Sequence, residues 1–262
     1  MSRKFQSGRN ASGTPKAPRT GQAWPWWMAG AALVGLLAYG KFFRHPAGDP
    51  TSFNNGGRGA ASSYAAPPTS SQQAAVALNQ GTYWMNQGDI TNALASYQEA
   101  LRLAPEDADV HYNLGLAHAK LGQPTKAEEH YRKALELSPG YPEVHNNLGL
   151  LLQRQNRLVE AESEFHEAIR LFPEYAKAHN NLGAFYAQQQ RVQEAANSFE
   201  KSVQLDGEQW DAWFNLGQAR KQLGNSQGAL DALHQVLRLN PDFEPARRLV
   251  GALENQASPV VP

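Results

Sequence analysis

The sequence predicts an all-α solenoid of five helix pairs closed by a C-terminal capping helix, and three observations carry that prediction. First, the string Val144-His145-Asn146-Asn147-Leu148-Gly149 returns 34 residues later as Ala178-His179-Asn180-Asn181-Leu182-Gly183. The same step gives Val110-His111-Tyr112-Asn113-Leu114-Gly115, Ala212-Trp213-Phe214-Asn215-Leu216-Gly217 and the weaker Ala77-Leu78-Asn79-Gln80-Gly81. A fixed period over five copies is the mark of a stacked repeat, in which no unit can bury its apolar face alone. Second, Gly81, Gly115, Gly149, Gly183 and Gly217 sit mid-helix in register. They are followed by Ala93, Ala127, Ala161, Ala195 and Ala229, then by Tyr97, Tyr131, Phe165, Phe199 and Leu233. Glycine inside a helix costs about 0.8–1 kcal/mol relative to alanine, so five in register mean close approach of two helices. Third, Pro105, Pro139, Pro173 and Pro241 stop the second helix of four copies, with Gly207 in the fourth, because proline cannot continue a helix.

Taken in order, the copies span 74–107, 108–141, 142–175, 176–209 and 210–243, each a helix, a tight turn and a second helix. The turns fall at Gly88, Gly122, Asn156, Gln190 and Gly224. Glycine and asparagine accept the left-handed backbone that ends a helix, and Gln190 departs from that rule. Residues 244–256, with Leu249, Val250 and Leu253 set against Arg247, Arg248 and Glu254, read as a capping helix. Residues 257–262 read as a disordered tail.

The chain before the repeats has a different character. Residues 1–73 carry eight Lys/Arg and one acid, a net of +7, whereas residues 74–262 carry 16 Lys/Arg and 23 Asp/Glu, a net of −7. Residues 1–23 form a basic tail. Residues 24–43 hold an apolar run, uncharged up to Gly40, with Trp24, Trp26 and Trp27 at one end and Tyr39, Phe42 and Phe43 at the other, where Lys41 and Arg44 snorkel outward. That is a single transmembrane helix near the lower limit of about 17–25 residues, with aromatic belts at both interfaces. The positive charges before it place the N-terminus in the cytosol and the repeats across the membrane. The expected location is therefore a bacterial inner membrane with a periplasmic repeat domain. A cleaved signal ending near Ala38-Tyr39-Gly40, which would release the chain into the periplasm, is the alternative, and a transit peptide or apolar arm the third. Residues 44–73 are rich in Gly, Ser, Ala and Pro and read as a flexible, disordered linker.

The order Leu-Gly, Ala, aromatic, Ala, Pro at a 34-residue period resembles the tetratricopeptide repeat, over about 170 of the 262 residues. The tryptophan of that pattern stands only at Trp213, with His111, His145 and His179 in its place as packing variants and Ala77 in the first copy. The resemblance implies a right-handed superhelix whose concave face is lined by the first helix of each pair. It also implies that Asn79, Asn113, Asn147, Asn181 and Asn215 lie on that face, with Asn146 and Asn180 thickening the column. An asparagine side chain both donates and accepts, so the column can pair with the backbone of an extended peptide without reading its side chains. By position in the family, Lys120, Arg154, Gln188 and Gln222 lie near the groove floor, with Tyr112 and Phe214 as apolar contacts. The carboxylate clamp of co-chaperone repeats is not matched, since Thr82, Leu116 and Leu150 replace its second asparagine.

The expected partners are a protein or peptide in the groove and a membrane through residues 24–43. The alternative is a structural subunit docked through its convex face with no peptide ligand. No enzyme, cofactor or metal site is expected. There are no cysteines, and the histidines one repeat apart are separated by about 10 Å, the spacing of packed helices, too far to share an ion. The acidic run Glu160, Glu162, Glu164 reads as a solvated outer face. An acidic body also argues against nucleic acid, and no motif points to a small-molecule substrate.

Overall fold

In the second helix of every pair a buried aromatic or leucine side chain lies against the backbone of the first, and that contact sets the whole architecture. The structure, a computed structural model, describes residues 69–257. Eleven α-helices fill them: α1 (Ser70–Asn86), α2 (Ile90–Leu103), α3 (Ala108–Lys120), α4 (Pro124–Leu137), α5 (Pro142–Arg154), α6 (Leu158–Leu171), α7 (Ala176–Gln188), α8 (Val192–Leu205), α9 (Trp210–Gln222), α10 (Ser226–Leu239) and α11 (Glu244–Ala257). The first ten form five pairs and α11 packs on α10. The expected basic tail at 1–23 and the expected transmembrane helix at 24–43 lie outside the described residues. Among the described residues no helix is long and apolar enough to cross a membrane.

The glycine column does what its register requires. A Cβ added to Gly81, Gly115, Gly149 or Gly183 would fall within 3.0 Å of the ring of Tyr97, Tyr131, Phe165 or Phe199. The four rings are buried, as are the alanines one turn earlier in the second helix. In the fifth pair Leu233 replaces the ring and the contact relaxes to 3.0 Å from its Cγ. The turns are left-handed at all five expected positions, with φ of 62° at both Asn156 and Gln190 and 68–78° at the three glycines. Gln190 therefore adopts the strained backbone rather than avoiding it.

Two boundaries differ from the sequence reading. Residues 70–73, assigned above to the linker, belong to α1. Thr69 caps that helix, its hydroxyl accepting from the Gln72 amide while the Gln72 side chain accepts from the Thr69 N–H. This capping box lies upstream of the apolar periodicity, which is why periodicity alone started the helix late. The last helix likewise runs one residue further, to Ala257.

The histidines at the tryptophan position are more than packing. The indole N–H of Trp213 donates to the Gly207 carbonyl at 2.9 Å. His111, His145 and His179 place Nε2 at 3.0–3.1 Å from the carbonyls of Pro105, Pro139 and Pro173. A carbonyl only accepts, so Nε2 carries the proton in all three. Imidazole thus replaces indole because it delivers the same donor to the same loop. The acidic run is corrected too. Glu160 pairs with Arg157 and Arg132, Glu162 with Arg191, and Glu164 with His145. Arg157 to Glu128 and Arg191 to Glu162 repeat one another a period apart, tying each second helix to the turn of the next pair.

Candidate functional site: the asparagine face

First helices touch their counterparts in neighbouring repeats, α1 with α3, α5 with α7 and α7 with α9. No pair of second helices comes as close among the described residues, which puts the first helices on the inner side of the curve. The expected asparagine column lies along that side, and its members are linked to one another rather than standing alone. Asn147 Nδ2 donates to the Tyr112 hydroxyl at 3.0 Å, Asn181 Nδ2 to Asn146 Oδ1 at 2.9 Å, and Asn215 Nδ2 to Asn180 Oδ1 at 3.2 Å. Each bond joins one repeat to the residue one period and one position earlier. In the first pair that earlier position is Leu78, which has no acceptor, and Asn113 Nδ2 turns back to the Asp109 carbonyl of its own helix.

This pattern splits the predicted residues into two groups. Asn146 is fully buried and Asn180 nearly so, so they support the column from beneath rather than adding to its face. Asn113, Asn147, Asn181 and Asn215 are half-buried and Asn79 is exposed. One amide hydrogen of each of Asn147, Asn181 and Asn215 is held by the neighbouring repeat, and their Oδ1 atoms and second amide hydrogens are what remains for a ligand. Tyr112 is sandwiched between Tyr131 and Tyr141. Phe214 sits beneath Phe243 at the start of the cap, ring centres 5.0 Å apart, and is less available than the sequence reading expected. Lys120 and Arg154 are exposed at the C-terminal ends of α3 and α5. Gln188 instead accepts from Gln153, and Gln222 donates to Gln190, so both hold repeats together.

Four residues escaped the sequence reading. Asp109, Glu143, Lys177 and Asp211 occupy one position, a period apart, at the N-terminal ends of α3, α5, α7 and α9. Asp109 accepts from the Tyr141 hydroxyl at 2.7 Å, and Asp211 accepts from Asn180 Nδ2 at 3.3 Å. Burial raises the Asp211 carboxyl above its usual range against the pull of the Ala212 and Asp211 amides and Asn180. Burial lowers the Lys177 ammonium, with Asp211 opposing. Because lysine replaces the acid at this point, the equivalent amide nitrogen, Asn146 Nδ2, is buried with no partner among the described residues. The 34-residue register points to this row once it is followed from the second residue of each copy. The inner face is thus edged by three acids and Lys177 at one end of the first helices and by Lys120 and Arg154 at the other.

Among the described residues no group of three or more His, Asp or Glu is arranged to hold a metal. His111 Nδ1 and His130 Nδ1 lie 3.1 Å apart, and His130 stacks on His118. Burial, then the neighbouring His111 and His118, lowers His130 to about 4.

Family models of the tetratricopeptide repeat match residues 78–142, 146–209 and 210–243. The chain belongs to this family, whose members are in general protein-binding scaffolds. Among solved structures it is similar to PilF of Pseudomonas aeruginosa, at 24% identity over 72% of this chain and 87% of that one, with a TM-score of 0.65. It is also similar to MamA of Desulfovibrio magneticus RS-1, at 22% identity over 66% and 97% with a TM-score of 0.56. YrrB, described as a TPR protein with an unusual peptide-binding site, is 23% identical over 66% and 89%, with a TM-score of 0.52. At these identities the likeness is one of fold. No curated protein sequence matches the chain.

Proposed function

We propose that this protein is a membrane-tethered scaffold whose inner face holds an extended segment of a partner protein by its backbone. The observation that carries this reading is the linked asparagine column, with acceptor oxygens repeating once per helix pair. Helix pairs stack about 10 Å apart, and a polyproline-II segment advances about 9.3 Å per three-residue turn. Every third backbone N–H of such a segment therefore meets one asparagine oxygen. The mixed row Asp109, Glu143, Lys177 and Asp211 and the Lys120/Arg154 row flank the path and favour a ligand carrying both signs of charge. The apolar run at 24–43, free of charge up to Gly40, behind a basic tail supports tethering with the repeats on the far side of a bacterial inner membrane, in a setting of envelope assembly or secretion.

Replacing Asn147 and Asn181 by Ala tests the groove. Partners recovered with the full chain from detergent extracts should be lost while the helical circular dichroism is kept; full recovery would rule the groove out. A second reading, docking through the outer face, is favoured by Val159, 85% exposed on α6. It predicts loss of the same partners on Val159→Glu instead. A periplasm-sensitive reporter fused after residue 73 tests the topology, and an inactive fusion overturns it.

A further inference from the structure

Three columns of the first helices face the preceding repeat. The first holds Val110, Val144, Ala178 and Ala212, the second Leu114, Leu148, Leu182 and Leu216, and the third Ala117, Leu151, Phe185 and Ala219, all buried. The cap continues them with Ala246, Val250 and Leu253. In α1 the same three positions are Val76, Gln80 and Tyr83, and nothing among the described residues covers them. Val76 is 66% exposed, Tyr83 57% exposed and Gln80 exposed. Beside them a shallow cavity of about 390 Å³ is lined by Gln72, Val76, Gln80, Glu99 and Leu103.

The two ends of the array are built differently. A terminal repeat needs a polar outer face to remain soluble, and α11 has one, with Glu244, Arg247, Arg248 and Glu254. The whole of α1 carries no Asp, Glu, Lys or Arg. Its outer face offers valine, tyrosine and glutamine, and the nearby Glu99 is neutralised by Arg102. A face carrying one sign of charge repels its own copy, whereas an uncharged one meets it without charge repulsion or desolvation of an ion. Glutamine, both donor and acceptor, can pair with itself across a two-fold axis, where one surface must complement itself. The chain just upstream is an unsuitable cover, since residues 44–68 are Gly-, Pro- and Ser-rich and carry no apolar period to lay there.

We infer that the outer face of α1 is an isologous interface, on which Val76, Gln80 and Tyr83 meet the same residues of a second copy of this chain. A 17-residue helix is about 25 Å long. At about 10 Å per helix width α1 and the edge of α2 cover roughly 400–500 Å² per copy, below the roughly 800 Å² per partner of a stable dimer. The pair is therefore weak in dilute solution and is best read by covalent trapping.

The chain has no cysteine, so a single introduced thiol reports on one place only. In the purified full chain, Gln80→Cys under mild oxidant should form disulfide dimers roughly tenfold or more faster than Val159→Cys, because an interface raises the local thiol concentration toward the millimolar range. Val76→Arg added to Gln80→Cys should reduce the rate to that of the Val159→Cys control, with circular dichroism unchanged because Val76 is not part of the core. Mixing that double variant with Val76→Glu/Gln80→Cys chains should restore cross-linking. Equal rates for Gln80→Cys and Val159→Cys, or no response to Val76→Arg, would overturn the inference.

Discussion

The glycine column allows one substitution to be predicted with opposite signs at two places in the same chain. At Gly183 a new Cβ would lie 2.6 Å from Cδ1 and 2.7 Å from Cε1 of Phe199. Carbon atoms rest at about 3.5–4.0 Å, so the ring must retreat by about 1 Å. Phe199 is fully buried beside Ala195 and Ala196 and has nowhere to go. Overpacking of this kind costs about 1–3 kcal/mol, against about 1 kcal/mol gained from the better helix former. Gly183→Ala should therefore destabilise by about 1 kcal/mol, and by up to about 2 kcal/mol. At Gly251, in α11, nothing lies within 4 Å of the point where a Cβ would stand, and Gly251→Ala should stabilise by up to about 1 kcal/mol. With about 2–4 °C per kcal/mol for an array of this size, the two variants should melt on opposite sides of the parent in thermal circular dichroism. Phe199→Leu should recover part of the loss in the Gly183→Ala background, since Leu233 already tolerates the milder 3.0 Å approach at Gly217. If both glycine variants shift in the same direction, helix propensity governs the column and the close-approach account is wrong.

Two of the histidines at the tryptophan position, His145 and His179, should titrate apart. At His145 burial opposes the charge, but the bond from Nδ1 to Glu164 at 2.6 Å and the Pro139 carbonyl outweigh it and raise the imidazole above its ordinary value. At His179 burial prevails over the Pro173 carbonyl and lowers it. Proton NMR of the ring resonances should find His145 above and His179 below about 6.5, and Glu164→Gln should bring His145 down. The stability that His145 contributes is complete below about 6.5 and is lost as pH rises through its folded value. His130 acts in the opposite sense. Its value of about 4 means stability is full above about 6.5 and declines as pH falls from there toward 4. Because the ring is only half-buried, the loss is on the order of 1–2 kcal/mol after solvent screening, and His130→Gln should flatten urea midpoints measured across that window. Finally, Gln190→Gly, at φ 62°, should raise stability by about 0.5–1 kcal/mol in urea unfolding, because glycine takes that backbone without the Cβ clash. No gain would mean the turn is not strained.

Much of the fold was legible because a solenoid repeats its constraints. Gly115 and Tyr131 need each other in the second pair for the same reason that Gly183 and Phe199 do in the fourth, so periodicity exposes what one copy would hide. The candidate site was legible only in part. Asparagine recurs visibly at one position, but what its amide touches depends on the residue one period and one position earlier. That residue is Leu78, Tyr112, Asn146 or Asn180, and only stacking brings it within reach. The row Asp109, Glu143, Lys177, Asp211 has the same period yet mixed charge, and a search for identity passes over it. Thr69 was missed because a cap precedes the apolar pattern it starts.

The sequence by itself determined the number of helix pairs, the places where they turn and the recurrence of asparagine at one position of each first helix, since each follows from spacing along one chain. Only the tertiary structure decided which atoms of that face are already occupied. It turned Asn146 and Asn180 inward, tied one amide hydrogen of each of Asn147, Asn181 and Asn215 to its neighbour, and placed Phe214 under the cap. It also made His145 and His179, identical in sequence position, differ in charge preference through a partner 19 residues away in the next helix. Hydrogen bonds and burial are properties of pairs in space, and spacing along the chain specifies them only once the repeats are stacked.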